Sequence, residues 1–305
     1  MSTGVALRMR PVRAGVIDVG SNTVRLLVAE RAGAGLVTIL SERTHVGLAI
    51  DVEREGRFSA EKLDEVGELA SRYAALARDG GVGGLEIVVT APGRQSRNAQ
   101  ELHAVLADAT AVPVRQLSAE EEGRLAYAGA VGACRSAPDT IAVVDVGGGS
   151  TQLMVGTAEG PAWLRALELG SLRLTERLVR TDPPRAQELE AVTAVVQEAF
   201  ESVTPPLPIS ALAAGGTARA LRRIAGRRLG EKNLTAALEL VAERTAKEAA
   251  RDFGVPLERA RVLPAGTIVV REAHRRLGIK LEVAKGGLRE GIIRALLMQL
   301  AAEAA

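Results

Sequence analysis

Two segments of this chain follow one pattern. IDVGSNTVRLLV (17–28) and VDVGGGSTQLMVG (144–156) each read as a strand carrying an Asp, one residue, Gly, two or three small residues and a second strand. Asp18 and Asp145 hold matching places in the two copies. A strand-turn-strand unit cannot bury its apolar face alone, so two copies set far apart predict two similar domains facing each other. The length of 305 residues agrees, being more than one domain ordinarily holds.

The periodicity around each copy is that of an α/β protein. In the first half, AGVIDVG (14–20), TVRLLVAE (23–30) and GLVTILSERTHVGLA (35–49) predict three successive strands. Leu63, Val66, Leu69, Ala70, Tyr73 and Leu76 recur at helical spacing, with Ser59 as N-cap and Gly80-Gly81 as the stop. A strand at 85–91, a helix near 97–108, a strand at 112–117 and a helix from Ala119 to about Cys134 complete that half. The second half begins again with two strands across 141–156 and a third near 162–168. Helices near 171–180 and 185–203, a strand at 209–215, helices near 217–229, 235–250 and 258–277, a strand at 280–285 and a helix from about Leu288 to the end follow. The proline-rich segments 181–187 and 204–210 read as fixed loops.

Composition removes several function classes. No stretch reaches the roughly 18 uncharged apolar residues of a membrane helix, since Asp145, Arg165 and Glu168 interrupt the most apolar third. The start, MSTGVALRMRPVR, has arginines but no apolar core of a signal peptide, and reads as a ragged leader before the first strand. Cys134 is the single cysteine, which forbids an intrachain disulfide and suits a reducing cytoplasm. Aromatic residues are 2% of the chain, too few for the stacking platforms of single-stranded nucleic acid, and the basic residues are spread rather than massed. Neither a nucleic-acid nor a membrane partner is expected.

The repeat itself carries the chemistry. An Asp on a strand followed by a glycine turn gives successive N–H groups that cup an anion. Gly20 opens the first turn and Ser21, Asn22 and Thr23 add side-chain donors there, whereas Gly147, Gly148 and Gly149 remove side chains in the second before Ser150 and Thr151 add hydroxyls. Two phosphate loops facing one cleft follow. Asp18 and Asp145 would repel phosphate directly but are well placed to hold a Mg²⁺ that bridges to it. Seven residues beyond each Asp stand Arg25 and Gln152, both expected near the cleft; alternation with Val24 and Leu26 turns Arg25 to the opposite face, where it can grip a phosphate.

LSAEEEGRLAYAG (117–129) has capping-box spacing between Ser118 and Glu121, which occupies Glu121 and leaves Glu122 free to face the cleft as a general base. Three acids in a first turn also suit the helix dipole without any catalytic part. In the loop after the strand at 85–91, Arg94 and Arg97 are equal candidates for a phosphate ligand. Gly215, Gly216 and Thr217 open a helix whose N-terminus can take an anion. His45, His103 and His274 have no metal spacing and read as structural, and Cys134 has no catalytic partner in sequence.

These residues resemble the exopolyphosphatase / guanosine pentaphosphate phosphohydrolase (Ppx/GppA) family of the actin-like ATPase superfamily. The resemblance runs through IDVGSNTVRLLV, Thr90 to Arg94, EEGR (121–124), VDVGGGST (144–151), LGSLRLTE (169–176), GGT (215–217) and GLREG (287–291). It implies two ribonuclease H-like domains with an interdomain cleft: 1–122 with the C-terminal helix of about 290–305, and 123–289. The chain resembles the short form, its last helix packing back on the first domain. The implied activity is Mg²⁺- or Mn²⁺-dependent release of terminal phosphate from inorganic polyphosphate, with guanosine penta- and tetraphosphate as further ligands and a homodimer by resemblance only. Glu122 would be the base, Asp18 and Asp145 the metal ligands, and Arg25 and Arg94 substrate contacts. One position departs from the family pattern: Gln152 stands where a second carboxylate is usual, so reduced turnover, or a binding-only sensor, is an alternative. An actin-like small-molecule kinase is a further alternative, since it shares the twin loops.

Overall fold

The computed structural model describes residues 12–134 and 139–304; the expected leader lies, up to residue 11, outside them. The first half opens with an antiparallel meander of β1 (Arg13–Val19), β2 (Thr23–Ala32) and β3 (Gly35–His45). Helices α1 (Leu48–Glu55) and α2 (Ala60–Asp79) precede β4 (Gly84–Val89); α3 (Ala91–Gln95) and α4 (Ala99–Thr110) precede β5 (Val114–Gln116). Helix α5 (Ala119–Val131) leads to a second meander of β6 (Ile141–Val146), β7 (Thr151–Thr157) and β8 (Gly160–Leu167). Then come α6 (Ser171–Leu178), α7 (Ala186–Phe200), β9 (Ser210–Ala214), α8 (Gly215–Ala225), β10 (Arg228–Leu229), α9 (Glu231–Ala242), α10 (Ala246–Phe253), α11 (Leu257–Leu277), β11 (Leu281–Val283) and α12 (Leu288–Glu303).

The two sheets run β3-β2-β1-β4-β5 and β10-β11-β9-β6-β7-β8. Apart from the short edge strand β10, they share one connectivity: a meander whose first strand pairs in parallel with a later strand, which in turn pairs in parallel with another. The expected duplication is therefore a duplication of fold.

Strand alternation places the functional residues. In β1, Ile17 and Val19 join the core with Tyr73, Leu102 and Leu106, while Ala14 and Val16 pack with Ile292, Ile293 and Leu297 of α12. In β6, Val144 and Val146 face the core of Phe200, Leu263 and Ile268, while Ile141 and Val143 face Tyr127 and Ala130 of α5. Each such buried aliphatic side chain contributes about 1.5–3 kcal/mol. With a period of two, Asp18 falls on the α12 side of its sheet and Asp145 on the α5 side of its own. Helices α5 and α12 also meet each other. A Cβ on Gly129 or Gly291 would fall inside the carbonyl oxygens of Gly287 and Leu125 respectively, so the crossing is closer than any side chain there allows.

Four boundaries differ from expectation. The third strand stops at His45 because Gly47, at φ 68°, turns the chain into α1, whose Leu48, Ala49 and Val52 bury at helical spacing. The helix expected at 235–250 is two: Thr245 caps α10, exchanging hydrogen bonds with Glu248. Gly226, at φ 82°, ends α8 and frees β10 from the helix expected to reach residue 229. Pro92 starts the short helix α3, where a loop was expected. The expected division after residue 122 falls inside α5, a helix that packs on the second sheet. Among the described residues no helix is long and apolar enough to cross a membrane.

Candidate active site

The strand ends of both sheets open on one cavity. Its wall includes Asp18, Arg25, Glu122 and Asp145, both glycine turns and Gly216. The two turns close alike: the Gly20 N–H donates to the Thr23 carbonyl (3.1 Å) and the Gly147 N–H to the Ser150 carbonyl (3.0 Å). They also touch. A Cβ on Gly148 would lie 3.0 Å from the Ser21 Cβ, and one on Gly149 would lie 2.9 Å from the Ala91 Cβ. The glycines of the second turn thus admit the side chains of the first. Asn22 lines the cavity with both Oδ1 and Nδ2 buried and unpaired, an arrangement that a hydrogen-bonding ligand would relieve.

Glu122 is placed by its helix. The Glu121 N–H donates to Ser118 Oγ (3.1 Å) and Glu121 Oε2 accepts the Ser118 N–H (2.9 Å), so Glu121 stays at the surface. One residue on, Glu122 turns into the cavity at 9% exposure. Arg94 Nη1 donates to Glu122 Oε2 (2.9 Å) and to the Leu117 carbonyl (2.9 Å), while its Nη2 donates to Ser150 Oγ (3.3 Å). Burial pushes the Glu122 carboxyl up to about 7; Arg94 opposes the shift, and Asp145 and Asp18 add to it. A carboxyl poised there exchanges protons at neutral pH.

Burial also raises Asp145, to about 6, and Asp18, with Arg219 and Arg25 opposing at Asp145 and Arg25 and Arg289 at Asp18. Among the described residues neither carboxylate has a side-chain hydrogen bond or ion pair, and no group of three His, Cys, Asp or Glu is spaced around one ion. Two unpartnered carboxylates on a cavity wall fit Mg²⁺, which uses one or two protein carboxylates and completes its shell with water and phosphate oxygens.

Three expected site residues sit elsewhere than predicted. Gln152 pairs with Asp145 across β6 and β7, as Arg25 pairs with Asp18 across β1 and β2. Yet Gln152 is 1% exposed, is absent from the cavity wall, and donates through Nε2 to Ser150 Oγ (3.0 Å). The reason is α5, which lies over it: a Cβ on Gly123 would be 3.4 Å from Gln152 Cγ. Thr217 is fully buried and donates its hydroxyl to the Val146 carbonyl (3.1 Å), leaving Gly215 and Gly216 on the wall. Arg94 stands behind Glu122 rather than on the wall, and its rival Arg97 donates to the Glu55 carbonyl (2.6 Å), away from the cleft. The histidines stay outside the cavity; His103 pairs with Gln116 and His274 with the Ile279 carbonyl.

Arg219, Arg259 and Arg289 also line the cavity, three residues with no part in the expected site. Arg289 lies inside the GLREG segment and Arg219 three residues after Gly216, both visible signals; Arg259 is mid-chain on a helix start with no local pattern.

Two sheets of one connectivity, each offering an Asp-bearing hairpin to a shared cleft, define the two-domain actin-like, ribonuclease H-like class. Within it, the chain belongs to the Ppx/GppA phosphatase family, whose sequence profile matches residues 27–300, and is a phosphohydrolase. It is 31% identical to Exopolyphosphatase 2 of Mycobacterium tuberculosis, over 94% of this chain and 99% of that one. The crystal structure of the Aquifex aeolicus member of the Ppx/GppA family superposes with a TM-score of 0.80 at 25% identity, covering 96% of this chain and 99% of that one. An exopolyphosphatase from Cytophaga hutchinsonii shares the fold, with a TM-score of 0.85 at 20% identity over 94% and 98% of the two chains.

Proposed function

We propose that this protein is an exopolyphosphatase, releasing terminal orthophosphate from inorganic polyphosphate, and that pppGpp is a second substrate of the same site. The observation that carries the reading is Glu122: a carboxyl held near neutrality on the wall of a cavity otherwise built from two anion-binding turns and arginines. The relative named Exopolyphosphatase 2 supports the choice of substrate.

In this mechanism the N–H groups of the two turns, with Asn22, Ser150 and Arg25, hold the oxygens of the terminal phosphoryl group. Arg94 fixes Glu122 through Oε2 and the Leu117 carbonyl, which orients the base and favours its ionised form. Glu122 takes a proton from a water as that water's oxygen bonds to phosphorus. The bridging P–O bond breaks, the shortened chain keeps that oxygen, and Glu122 returns its proton to solvent after orthophosphate leaves. Asp18 and Asp145 would hold Mg²⁺ or Mn²⁺, which when bound offsets charge on the phosphate oxygens. Gln152, screened by α5, takes no proton here, and its neutrality gives little support to a binding-only sensor.

Phosphate release from polyphosphate and from pppGpp, with Mg²⁺ or Mn²⁺, tests the proposal. Wild type should release orthophosphate and Glu122→Gln should bind without release. Binding by a wild type that releases nothing would replace the hydrolase with a sensor, and retained release in Glu122→Gln would remove Glu122 from the mechanism.

A further inference from the structure

The cavity does not end at Arg25. A second pocket shares Arg25, Gly216, Arg219, Arg259 and Arg289 with it and runs outward between β3, α8 and the start of α11 to Arg43 and Arg223. Arg219 and Arg223 are four residues apart on α8 and so lie on one face, a like-charged pairing that is unfavourable without an anion between them. Arg259 Nη2 and Arg25 Nη2 converge on Gly216, at 2.7 and 3.3 Å from where a Cβ would stand. Arg259 is 6% exposed and its Nη1 is buried with no partner. Among the described residues the side chains of Arg219, Arg223 and Arg289 make no hydrogen bond or ion pair. Among the described residues the one carboxylate paired to an arginine of this pocket is Glu258, 3.2 Å from Arg43.

Unpaired guanidinium groups are costly to crowd into a cavity. Burial first, and then the neighbouring arginines, push Arg259 down to about 10 and Arg25 down to about 9. A ligand that repays this must carry several negative charges in a row. A guanidinium meets phosphate with paired donors, and a row of them meets consecutive phosphoryl groups.

We propose that this second pocket is the path of the distal phosphoryl units of an extended substrate, and that Arg43 and Arg223 select for chain length. The inference rests on the proposed hydrolysis, whose reacting end lies at Glu122. It adds a direction: the chain leaves the cleft past Arg259 and Arg219 and crosses the rim between Arg43 and Arg223. Both rim residues are exposed and stand apart from the reacting groups, so their replacement leaves the fold and the chemistry in place.

The test compares wild type with Arg43→Gln/Arg223→Gln on inorganic triphosphate, on long inorganic polyphosphate and on pppGpp. KM for long polyphosphate should rise about tenfold or more, with kcat and the triphosphate KM unchanged. Arg223→Lys should recover part of the loss and retain its salt dependence. An unchanged KM for long chains, or an equal rise for triphosphate, overturns the path. A rise confined to pppGpp overturns it too, assigning the pocket to a nucleotide. Binding of the same long polyphosphate to both proteins in a Glu122→Gln background needs no turnover. A tenfold weakening there sustains the path even if wild type releases no phosphate, so failure of the hydrolase reading is told apart from failure of this one.

Discussion

The turn at 20–23 carries Ser21, Asn22 and Thr23; the turn at 147–150 carries three glycines before Ser150. Both close with the same backbone hydrogen bond, and both place an Asp opposite the residue seven places on. They differ because they meet: side chains at 148 and 149 would occupy the space that Ser21 and Ala91 fill. The helices over them differ in the same way. In α5 and α12 the third residue is a glutamate that caps its own helix, Glu121 and Glu290. The next residue is Glu122 in α5 but Gly291 in α12, where a side chain would strike the Leu125 carbonyl. One duplicated plan therefore differs at this place: α5 sends Glu122 into the cavity after its capping glutamate, whereas in α12 the capping Glu290 itself lines the cavity and the next position has no room for a side chain.

The sharpest way to break this comparison is to neutralise each side in turn. Glu122→Gln is expected to lower kcat about 10²- to 10⁴-fold, whereas Glu290→Gln, which keeps its capping oxygen, should stay within about threefold. Equal losses in a phosphate-release assay would erase the asymmetry. Gly291→Val presses on the crossing itself and should cost about 3 kcal/mol, read as a lower midpoint in thermal or urea unfolding. Next comes the matched pair on the outgoing strands. Arg25→Gln should raise KM about tenfold, since it removes a guanidinium from the cavity wall. Gln152→Glu, screened by α5, should change kcat by no more than about threefold; a larger gain would bring that position into the mechanism.

The pH profile sharpens the same contrast. A base must be ionised, so kcat/KM should fall about tenfold per unit as pH drops below about 7, the value burial gives Glu122. Arg94→Gln removes the charge that opposes burial and should move that limb to higher pH. The sign for stability is opposite to that of activity. A carboxyl raised in the folded state favours folding below its ordinary value of 4.5, and that advantage is lost as pH rises through about 7. Urea unfolding across that interval should be flatter for Glu122→Gln.

Much of the site was legible in sequence because its signals are local. The strand-Asp-glycine turns depend on φ/ψ freedom and alternation within a dozen residues, and the capping box separates Glu121 from Glu122 within one helical turn. Arg94 and Arg97 could not be told apart, because only the close approach of α3 to α5 gives Arg94 its carboxylate. Gln152 holds in its hairpin the place that Arg25 holds in the other, and nothing in its neighbours announces that α5 covers one and leaves the other open. The helix expected at 235–250 could have been divided from sequence, since the Thr245 and Glu248 spacing was present.

The sequence by itself determined the duplicated α/β plan, the two glycine-bearing turns and the glutamate left free of the helix cap, all set by hydrogen bonds and periodicities that close within one element. Tertiary structure alone decided which arginines reach the cleft, that Thr217 spends its hydroxyl on the Val146 carbonyl, and that Gln152 lies behind a helix. The physical reason is that burial and charge pairing depend on atoms brought together from distant segments. Arg25, Arg259 and Arg289 meet only because two sheets fold to face one cavity.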